Sequence, residues 1–322
     1  MASEGFAKPW VEFEEEFGER PLLYGSVSSC LDGFARIGAK LGAKYTFPSP
    51  DPVVKTEDRT IDGGLKVRIY TPDGYTGRNP VGVYFHAGGW VMGDLDGDDA
   101  FCRAMSKDAG VVLVSVEYGL APQNKHPGLI NDCFKGLQWT LDNSKDLSGV
   151  EGRIFTAGVS AGGGLALGVA LKAIDEGLGD SLVGVVAQVP ATIHPDGVPA
   201  ELKLKYTSKD EHKDHTIDTA DAMRTFWDAF GAPPTDPYAS PLLHPRIKDL
   251  KKVYLSVAGH DTLRDDGLLF KQRLDENGVA NNLDFYEGYP HFHWTWPSTK
   301  LDKPREEYNS NVAKGVKFVI SS

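Results

Sequence analysis

Short apolar runs rich in β-branched residues recur along the chain, separated by longer stretches of helical character. The runs that read as buried strands are 81–85, 111–118, 153–159, 182–189 and 252–258. Their hydrophobicity is nearly continuous rather than alternating, which is typical of a parallel sheet covered on both faces. The segments between them that suit helices include 97–109, 126–142 and 161–177. This alternation of strand and helix predicts a doubly wound α/β sheet.

A turn of Asp62, Gly63 and Gly64 lies ahead of these runs, between two segments that favour extended structure. The flanking segments are VVKTEDRTI and LKVRIYTP. Asp-Gly and Gly-Gly pairs favour the tight turn of a β-hairpin. We therefore expect an antiparallel edge where the sheet begins.

Two regions do not follow the alternation of strand and helix. The first carries Trp10, Phe13 and Phe17 at spacings that place them on one face of a helix. The second is rich in charge, proline and aspartate. We expect residues 1–50 to form an N-terminal cap segment, and residues 190–245 an inserted cap segment, over one end of the sheet. The α/β core would then comprise residues 51–189 and 246–322.

The composition of the 322 residues, 41% hydrophobic and 25% charged, is ordinary for a globular protein. The net charge of −11 argues against a nucleic-acid partner and against an anionic membrane surface. No apolar run is long enough to span a bilayer, and the N-terminus lacks the apolar stretch of a signal peptide. The three cysteines are an odd number without metal-site spacing. We therefore expect a soluble, cytoplasmic protein without a disulfide framework.

The first candidate for chemistry is the pattern G-x-S-x-G formed by Gly158, Ser160 and Gly162. A chain with 36 glycines can match this pattern by chance, but its setting here is specific. The predicted strand 153–159 runs directly into it, and a helix of small residues follows. That is the strand–turn–helix setting of a nucleophile elbow, which exposes a serine hydroxyl at a helix N-terminus. The competing interpretation, a phosphate-binding turn, lacks both common glycine signatures.

A serine that attacks a carbonyl needs hydrogen-bond donors for the oxyanion that forms. The sequence HAGGW, residues 86–90, directly follows the predicted strand 81–85. Glycines at this position let backbone N–H groups approach a ligand without an intervening side chain. We interpret His86 as a brace for this loop rather than as a catalytic residue.

The order and spacing of seven motifs resemble those of the hormone-sensitive-lipase-like α/β-hydrolases over roughly residues 55–320. The motifs are HAGGW, GDLDGDD, EYGLAPQNKHPGLIND, GVSAGGGLA, DPYASPL, GHDTLRDDG and EGYPHFHW. The resemblance implies an α/β-hydrolase fold with a mostly parallel eight-stranded sheet under a helical cap. It also implies hydrolysis of carboxylic esters without a cofactor. Within the family, the sequence is similar to fungal esterases, including those that trim acyl groups from secondary metabolites.

The chain departs from the family pattern in the loop that binds the oxyanion. The family sequence HGGG is HAGG here, so that Ala87 replaces the first glycine. The glycines that match the usual donors, Gly88 and Gly89, remain, and the amide of Ala161 supplies the third. The resemblance therefore still predicts a complete oxyanion hole.

Two further departures affect packing rather than chemistry. The family sequence YRLAPE is YGLAPQ, so that Gly119 and Gln123 replace an Arg–Glu pair. Val159 stands where aspartate or threonine often precedes the serine, which would change what supports the nucleophile.

The acid of a Ser-His-Asp triad is expected after the serine and before the histidine in the chain. The predicted strand 252–258 ends at Gly259-His260-Asp261, which places Asp261 at the carboxyl edge of the sheet. Asp265 and Asp266 are rivals, but they lie where a helix would begin, and the helix dipole would satisfy them there. We therefore favour Asp261.

The base is one of two histidines in EGYPHFHW. The predicted last strand, LDFYE, ends at Gly288, and the family pattern G-x-x-H-x-F places the base at His291. His293 falls where the family often has phenylalanine, so we expect it to line the pocket or to pack.

Two segments could be drawn as metal sites, but neither fits well. DLDGDD at 94–99 has its glycine too early for a calcium loop, and position 12 is Met105 rather than glutamate. DEHKDH at 210–215 is better explained as a charged face of the cap. We expect no metal.

The sequence thus predicts a carboxylic ester hydrolase with Ser160, Asp261 and His291 as its triad and the amides of Gly88, Gly89 and Ala161 as its oxyanion hole. The family's small pockets suggest short acyl chains. The residues expected to bind the small-molecule ester substrate are Trp90, Trp227, His293 and Trp294, with Trp296 as a further aromatic candidate.

Several alternatives use the same residues. An acyltransferase, a lactonase or an amidase would share the triad, and only the acceptor or the substrate would differ. A non-catalytic small-molecule receptor of this fold is disfavoured because all three triad residues are present. A homodimer is a further expectation.

Overall fold

An eight-stranded sheet forms the centre of the protein. The computed structural model describes residues 5–47 and 49–321. Within them the strands are β1 (Val54–Ile61), β2 (Leu65–Pro72), β3 (Val81–Phe85), β4 (Leu113–Glu117), β5 (Ile154–Val159), β6 (Leu182–Gln188), β7 (Lys252–Ala258) and β8 (Ala280–Tyr286). Their spatial order is β1-β2-β4-β3-β5-β6-β7-β8. The first two strands pair antiparallel, β2 is antiparallel to β4, and the remaining pairs are parallel. The predicted mostly parallel α/β sheet with an antiparallel edge is confirmed.

Helices cover both faces of this sheet. The α-helices of the described residues are α1 (Lys8–Phe17), α2 (Val27–Lys44), α3 (Asp99–Ala109), α4 (Gly128–Asp142), α5 (Ala161–Asp175), α6 (Ser208–Glu211), α7 (Ala220–Phe230), α8 (Arg264–Glu276) and α9 (Asp302–Ile320). Two buried apolar clusters result, one holding side chains of α4, α5 and α8, the other those of α3 and α9. In β3, Val83 and Phe85 enter the first cluster and Tyr84 the second. Burial on both faces explains why the strands lack polar alternation.

The N-terminal segment is fixed to the core by the aromatic face predicted for α1. Trp10, Phe13 and Phe17 are buried, and all three rings contact the Trp296 ring at centroid distances of 5.4 to 6.4 Å. The amide of Ala7 donates to the carbonyl of Gly288 over 2.8 Å. The helix therefore packs against the loop that follows β8, which carries both candidate histidines.

The inserted segment between β6 and β7 contacts the N-terminal segment directly. The backbone N–H of Gly25 donates to the Asp221 carboxylate over 2.6 Å, and the Thr225 hydroxyl donates to the Gly25 carbonyl over 2.7 Å. The Thr219 hydroxyl donates to the Leu23 carbonyl. These bonds join the two segments that the sequence assigned to a cap. Their division at residues 50, 190 and 245 stays a prediction, and residues 1–4, 48 and 322 lie outside the described part of the chain.

Asp265 and Asp266 lie in the first turn of α8, as expected, but they do more than face the helix dipole. The backbone N–H groups of Thr207 and Ser208 each donate to the Asp265 carboxylate over 2.7 Å. Asp266 accepts the N–H of Thr192 over 2.7 Å, that of the next residue over 3.1 Å, and the Tyr206 hydroxyl over 2.9 Å. The helix dipole is therefore not their only source of stabilisation. The two carboxyl groups tie the inserted segment to the core.

Within the described residues, no helix is long and apolar enough to cross a membrane.

The contact between α5 and the inserted segment leaves no room for a side chain at Gly168. A Cβ at that position would lie 2.0 Å from the Tyr238 carbonyl oxygen, whereas a Cβ at Gly42 in α2 would meet nothing within 4 Å. We expect Gly168→Ala to lower the thermal midpoint because the backbone must move apart. The matched change Gly42→Ala should raise stability by about 0.5–1 kcal/mol, since alanine favours a helix over glycine. Thermal unfolding followed by circular dichroism checks both; equal midpoints would contradict the close approach.

Candidate active site

Ser160 lies in a turn that only small neighbours allow. Its backbone has φ 59° and ψ −121°, a left-handed conformation that a serine rarely adopts. A Cβ at Gly158 would lie 2.1 Å from the Gly162 carbonyl oxygen, and one at Gly162 would lie 2.1 Å from the Phe85 carbonyl oxygen. The G-x-S-x-G pattern is therefore a steric requirement of the tight turn between β5 and α5. The turn places the serine at the N-terminus of α5.

Three side chains from three separate loops meet at this turn. The Nε2 atom of His291 lies 2.9 Å from Ser160 Oγ, and its Nδ1 atom lies 2.6 Å from Asp261 Oδ2. The other oxygen of Asp261 accepts the N–H of Leu263 over 2.7 Å. Because a carboxylate can only accept, the proton of the ring belongs on Nδ1, which leaves Nε2 free to accept the serine hydroxyl. This arrangement can withdraw a proton from Ser160 as it attacks a carbonyl.

Burial and charge separate the two histidines of the loop. Burial acts to lower the pKa of His291, but the negative charge of Asp261 outweighs it and raises the pKa above the ordinary value. Burial lowers the pKa of His293 to about 3, so that this imidazole stays neutral. His293 Nδ1 faces the carbonyl of Pro290 at 3.3 Å rather than a carboxylate. Only His291 therefore pairs with a carboxylate and lies where it can accept the serine proton.

The loop after β3 lies beside the serine turn and is held from several sides. A Cβ at Gly88 would lie 2.1 Å from the Met92 carbonyl oxygen, so the loop turns tightly at this glycine. The Asp98 carboxylate accepts the N–H of Ala87 over 3.0 Å. The His86 ring stacks on Tyr118 at 4.1 Å, and its Nδ1 lies 2.7 Å from the Ala87 carbonyl oxygen. His86 thus braces the loop, as interpreted, and Ala87 is accommodated within it.

Side chains of α7 cover this loop from the inserted segment. The Phe226 ring lies against Gly89, where an added Cβ would come within 2.4 Å of it. The Trp90 and Trp227 rings are 4.3 Å apart, and Phe230 stacks on Trp90 at 4.8 Å. The sequence reasoning missed Phe226, although the amphipathic pattern of α7 could have indicated a buried aromatic face.

A cleft of about 250 Å³ opens beside these aromatic residues. Trp227 and Met223 of α7 form one wall, and Thr262 and Leu263, which directly follow Asp261, form another. Lys209, Asp210 and Arg224 add charged side chains to the lining. The cleft therefore combines apolar and charged surfaces, within two residues of Asp261 in the chain.

The other aromatic residues named from the sequence lie elsewhere. Trp294 stacks on Tyr308 of α9 at 3.7 Å, and His293 packs between Tyr286 and Tyr289. Both lie on the α9 side of the sheet, apart from the cluster that holds Trp90 and Trp227. Trp296 belongs to the contact with α1. The structure therefore brings Trp90 and Trp227 together but does not join His293 or Trp294 to them.

A second carboxyl group lies beside Asp261. The Asp218 side chain, from the inserted segment, is buried, and its Oδ2 lies 4.0 Å from His291 Nδ1. Burial and the charge of Asp261 raise the pKa of Asp218 to about 8. Its surroundings in the sequence, TIDTAD, follow no pattern that would have singled it out.

The described residues contain one cluster whose ligand atoms are close enough to surround an ion, namely Asp218, Asp261 and His291. The 2.6 Å separation of His291 Nδ1 from Asp261 Oδ2 is that of a charge-assisted hydrogen bond. The other candidate, DEHKDH, is not a uniformly charged face. His212 is buried within it, with Arg264 2.7 Å from its Nε2. A guanidinium at that atom opposes metal binding there.

Comparisons with known proteins agree with this geometry. A family model for the alpha/beta hydrolase fold matches residues 82–295. The chain is 42% identical over 315 residues to the versiconal hemiacetal acetate esterase of Aspergillus parasiticus, covering 98% of both chains. It is 45% identical over 280 residues to the FAD-linked oxidoreductase pytB of Aspergillus terreus. That match covers 87% of this chain but 34% of the longer relative.

The crystal structure of a thermostable esterase from Pseudomonas putida ECU1011 superposes with a TM-score of 0.84. Its sequence is 25% identical, and the match covers 99% of this chain and 98% of that one. The predicted resemblance is thus confirmed at the level of sequence and of fold. With its mostly parallel sheet, its serine turn and these relatives, the chain belongs to the α/β-hydrolase family.

Proposed function

We propose that this enzyme, an ester hydrolase like its relatives, cleaves short-chain acyl esters, above all acetates, through an acyl-enzyme on Ser160. The observation that supports the proposal most directly is the buried series of contacts from Ser160 through His291 to Asp261, at 2.9 and 2.6 Å. A serine hydroxyl becomes an effective nucleophile only beside such an oriented base.

In the first half of the reaction, Ser160 Oγ bonds to the acyl carbon while its proton passes to His291 Nε2. The carbonyl oxygen becomes an anion, which the amides of Gly88, Gly89 and Ala161 would stabilise. When the C–O bond to the alcohol breaks, His291 returns the proton to the leaving oxygen. Water then attacks the acyl-enzyme by the same steps and releases the acid, and Ser160 regains its proton.

Two observations support a small acyl group and a larger aromatic alcohol. The Phe226 ring occupies the space against Gly89, next to the proposed oxyanion site, which limits the length of an acyl chain. The apolar wall that Trp227 and Met223 form in the adjacent cleft offers a surface for a ring system. The relative from Aspergillus parasiticus is named for an acetate ester, and we extend that ester class to this chain.

The alternatives share the acyl-enzyme. Acyl transfer and the cleavage of a lactone or an amide would use the same three residues, and we prefer ester hydrolysis because the relatives are esterases. The intact triad disfavours a receptor without activity. We assign no cofactor to the reaction.

We further propose that the enzyme acts in the cytoplasm and forms a homodimer. Its three cysteines, Cys30, Cys102 and Cys133, are buried thiols, which suits a reducing compartment. The outer edge of β8 carries the exposed side chain of Phe285, and an edge strand is a ready surface for pairing with a second copy.

We expect a fluorophosphonate probe to label Ser160 and to abolish ester hydrolysis, because the serine hydroxyl is activated by His291. Ser160→Ala should lose about 10³-fold or more in turnover. Peptide mapping after labelling, with Ser240→Ala as the control serine, checks the site. A label on another residue, or an active Ser160→Ala variant, would contradict the assignment.

The paired histidines should behave differently when each is replaced. His291→Ala should lose about 10³-fold or more in kcat because the serine loses its base. His293→Ala should keep most of its turnover, although the packing against Tyr308 changes. Steady-state rates on one short-chain ester, after circular dichroism has shown both variants to be folded, distinguish them. An active His291→Ala variant together with an inactive His293→Ala variant would contradict the assignment of His291 as the base.

The acyl preference should depend on Phe226. Phe226→Ala removes the ring beside Gly89, so longer acyl chains should gain about 10-fold in kcat/KM relative to acetate, as for a pocket enlarged by several methylenes. The control Phe285→Ala alters an exposed ring on the edge strand β8 and should leave the profile unchanged. A series of chromogenic esters of increasing acyl length measures this. An unchanged preference in Phe226→Ala would remove this ring from the acyl site.

A further inference from the structure

The carboxyl group of Asp218 lies within the triad but belongs to the inserted segment rather than to the core. Oxygen atoms of Asp218 and Asp261 and a ring nitrogen of His291 all lie within 4.8 Å of one another. All three side chains are buried, with 5%, 1% and 1% of their respective residues exposed. A buried group this close to the reacting residues affects either their charge or their position.

Asp218 is held in this place by its own hydrogen bonds. The Thr262 hydroxyl donates to the Asp218 carboxyl oxygen over 2.5 Å and to its backbone carbonyl over 2.9 Å. Thr262 directly follows Asp261, so the same turn after β7 supports both acids. On the other side, the neighbouring Thr219 binds the Leu23 carbonyl of the N-terminal segment. Asp218 therefore joins both outer segments to the triad.

Carboxyl oxygen atoms of Asp218 and Asp261 lie within 4.8 Å of each other in a buried site, where two negative charges repel strongly unless one group carries a proton. Asp261 receives the Nδ1 proton of His291 and the N–H of Leu263, and these donors favour its ionised form. The Asp218 carboxyl group accepts a hydrogen bond from the Thr262 hydroxyl, and this bond stabilises a neutral carboxylic acid almost as well as a carboxylate. The ionisable groups that affect the pKa of Asp218 most are Asp261 and His291. The proton consequently belongs on Asp218.

We propose that Asp218 is a positioning residue, a neutral carboxylic acid that donates a hydrogen bond to Asp261 and so couples the inserted segment to the catalytic base. The bond fixes the carboxylate of Asp261 against His291. It also avoids a second negative charge beside Asp261, which would repel the inserted segment. The inference rests on the proposed function for its kinetic consequences, but the proton on Asp218 does not depend on activity.

The kinetic test compares Asp218→Asn, which keeps a donor without a titrating proton, with Asp218→Ala, which removes the donor. Asp218→Ala should lose about 10- to 100-fold in kcat with KM within about threefold, the cost of a hydrogen bond to a charged group. Asp218→Asn should keep kcat within about threefold of wild type at the pH where the wild type is most active. Above that pH the wild type should lose activity as Asp218 ionises, and Asp218→Asn should not.

The apparent pKa on the acid side of the kcat/KM profile shows whether Asp218 is charged. If Asp218 is neutral, Asp218→Asn leaves this apparent pKa unchanged. An ionised Asp218 would raise the pKa of His291, so Asp218→Asn would lower the apparent pKa by about one unit or more, and the proposal would fall. It would also fall if Asp218→Asn kept the alkaline loss, or if Asp218→Ala matched wild-type kcat. The control Asp228→Asn, an exposed acid of α7, should show the wild-type profile.

A second measurement needs no substrate. Native Asp218 keeps its proton to about pH 8, whereas the unfolded chain loses it near pH 4, so the native state holds more protons between these values. Wild-type stability from this group is complete below about pH 4 and is lost as the pH rises towards 8. The thermal midpoint of Asp218→Asn minus that of wild type should therefore increase by about 2 °C or more between about pH 5 and pH 8.

These two measurements separate the two proposals. A constant midpoint difference would show that Asp218 is ionised in the native protein and would overturn the inference, whatever the activity. A wild-type enzyme that cleaves no ester would overturn the proposed function, while the midpoint difference would still report the proton. Should Asp218→Ala fail to fold, Asp218→Asn carries both tests.

Discussion

Three buried aspartates within six residues hold together the parts of this protein on which the active site depends. Asp261 accepts a hydrogen bond from the His291 imidazole, while Asp265 and Asp266 accept backbone N–H groups of the inserted segment. A buried carboxylate without hydrogen-bond donors costs free energy, so the loss of any one of these partners would destabilise the folded protein. The turn after β7 thereby fixes the orientation of the base and the position of the segment that covers it.

The second constraint is steric and acts at Ser160. Ser160 can adopt its left-handed conformation because Gly158 and Gly162 carry no side chain. Two backbone carbonyl oxygens therefore come so close that a methyl group at either glycine would overlap with them. The same close approach brings the end of β3, and with it the loop after β3, against the serine turn. Backbone geometry therefore positions the nucleophile and the proposed oxyanion donors together, and side chains then bring the base and the acid to them.

The sequence predicted what depends on local pattern. Continuous apolar runs located the core strands, and the glycines around Ser160, the end of β7 and the turn at Gly288 located the three residues that the structure brings together. It did not predict contacts between distant segments. The role of Asp265 in binding the inserted segment requires knowledge of where residues 207 and 208 lie, and Trp294 looked like a pocket residue because its partner on α9 is not adjacent in sequence. Pairings across the fold leave no periodic signal in either segment.

Because Ser160 is 5% exposed and His291 1%, the site as folded is nearly closed to water. Exclusion of water strengthens the attraction between the imidazolium that forms during attack and the Asp261 carboxylate. The same exclusion raises the cost of any further charge, which explains why a second acid can reside at Asp218 only if it is neutral. The inserted segment forms a wall of the site, and this packing has two consequences. It covers the three proposed catalytic residues, and it places the Asp218 carboxyl group next to them.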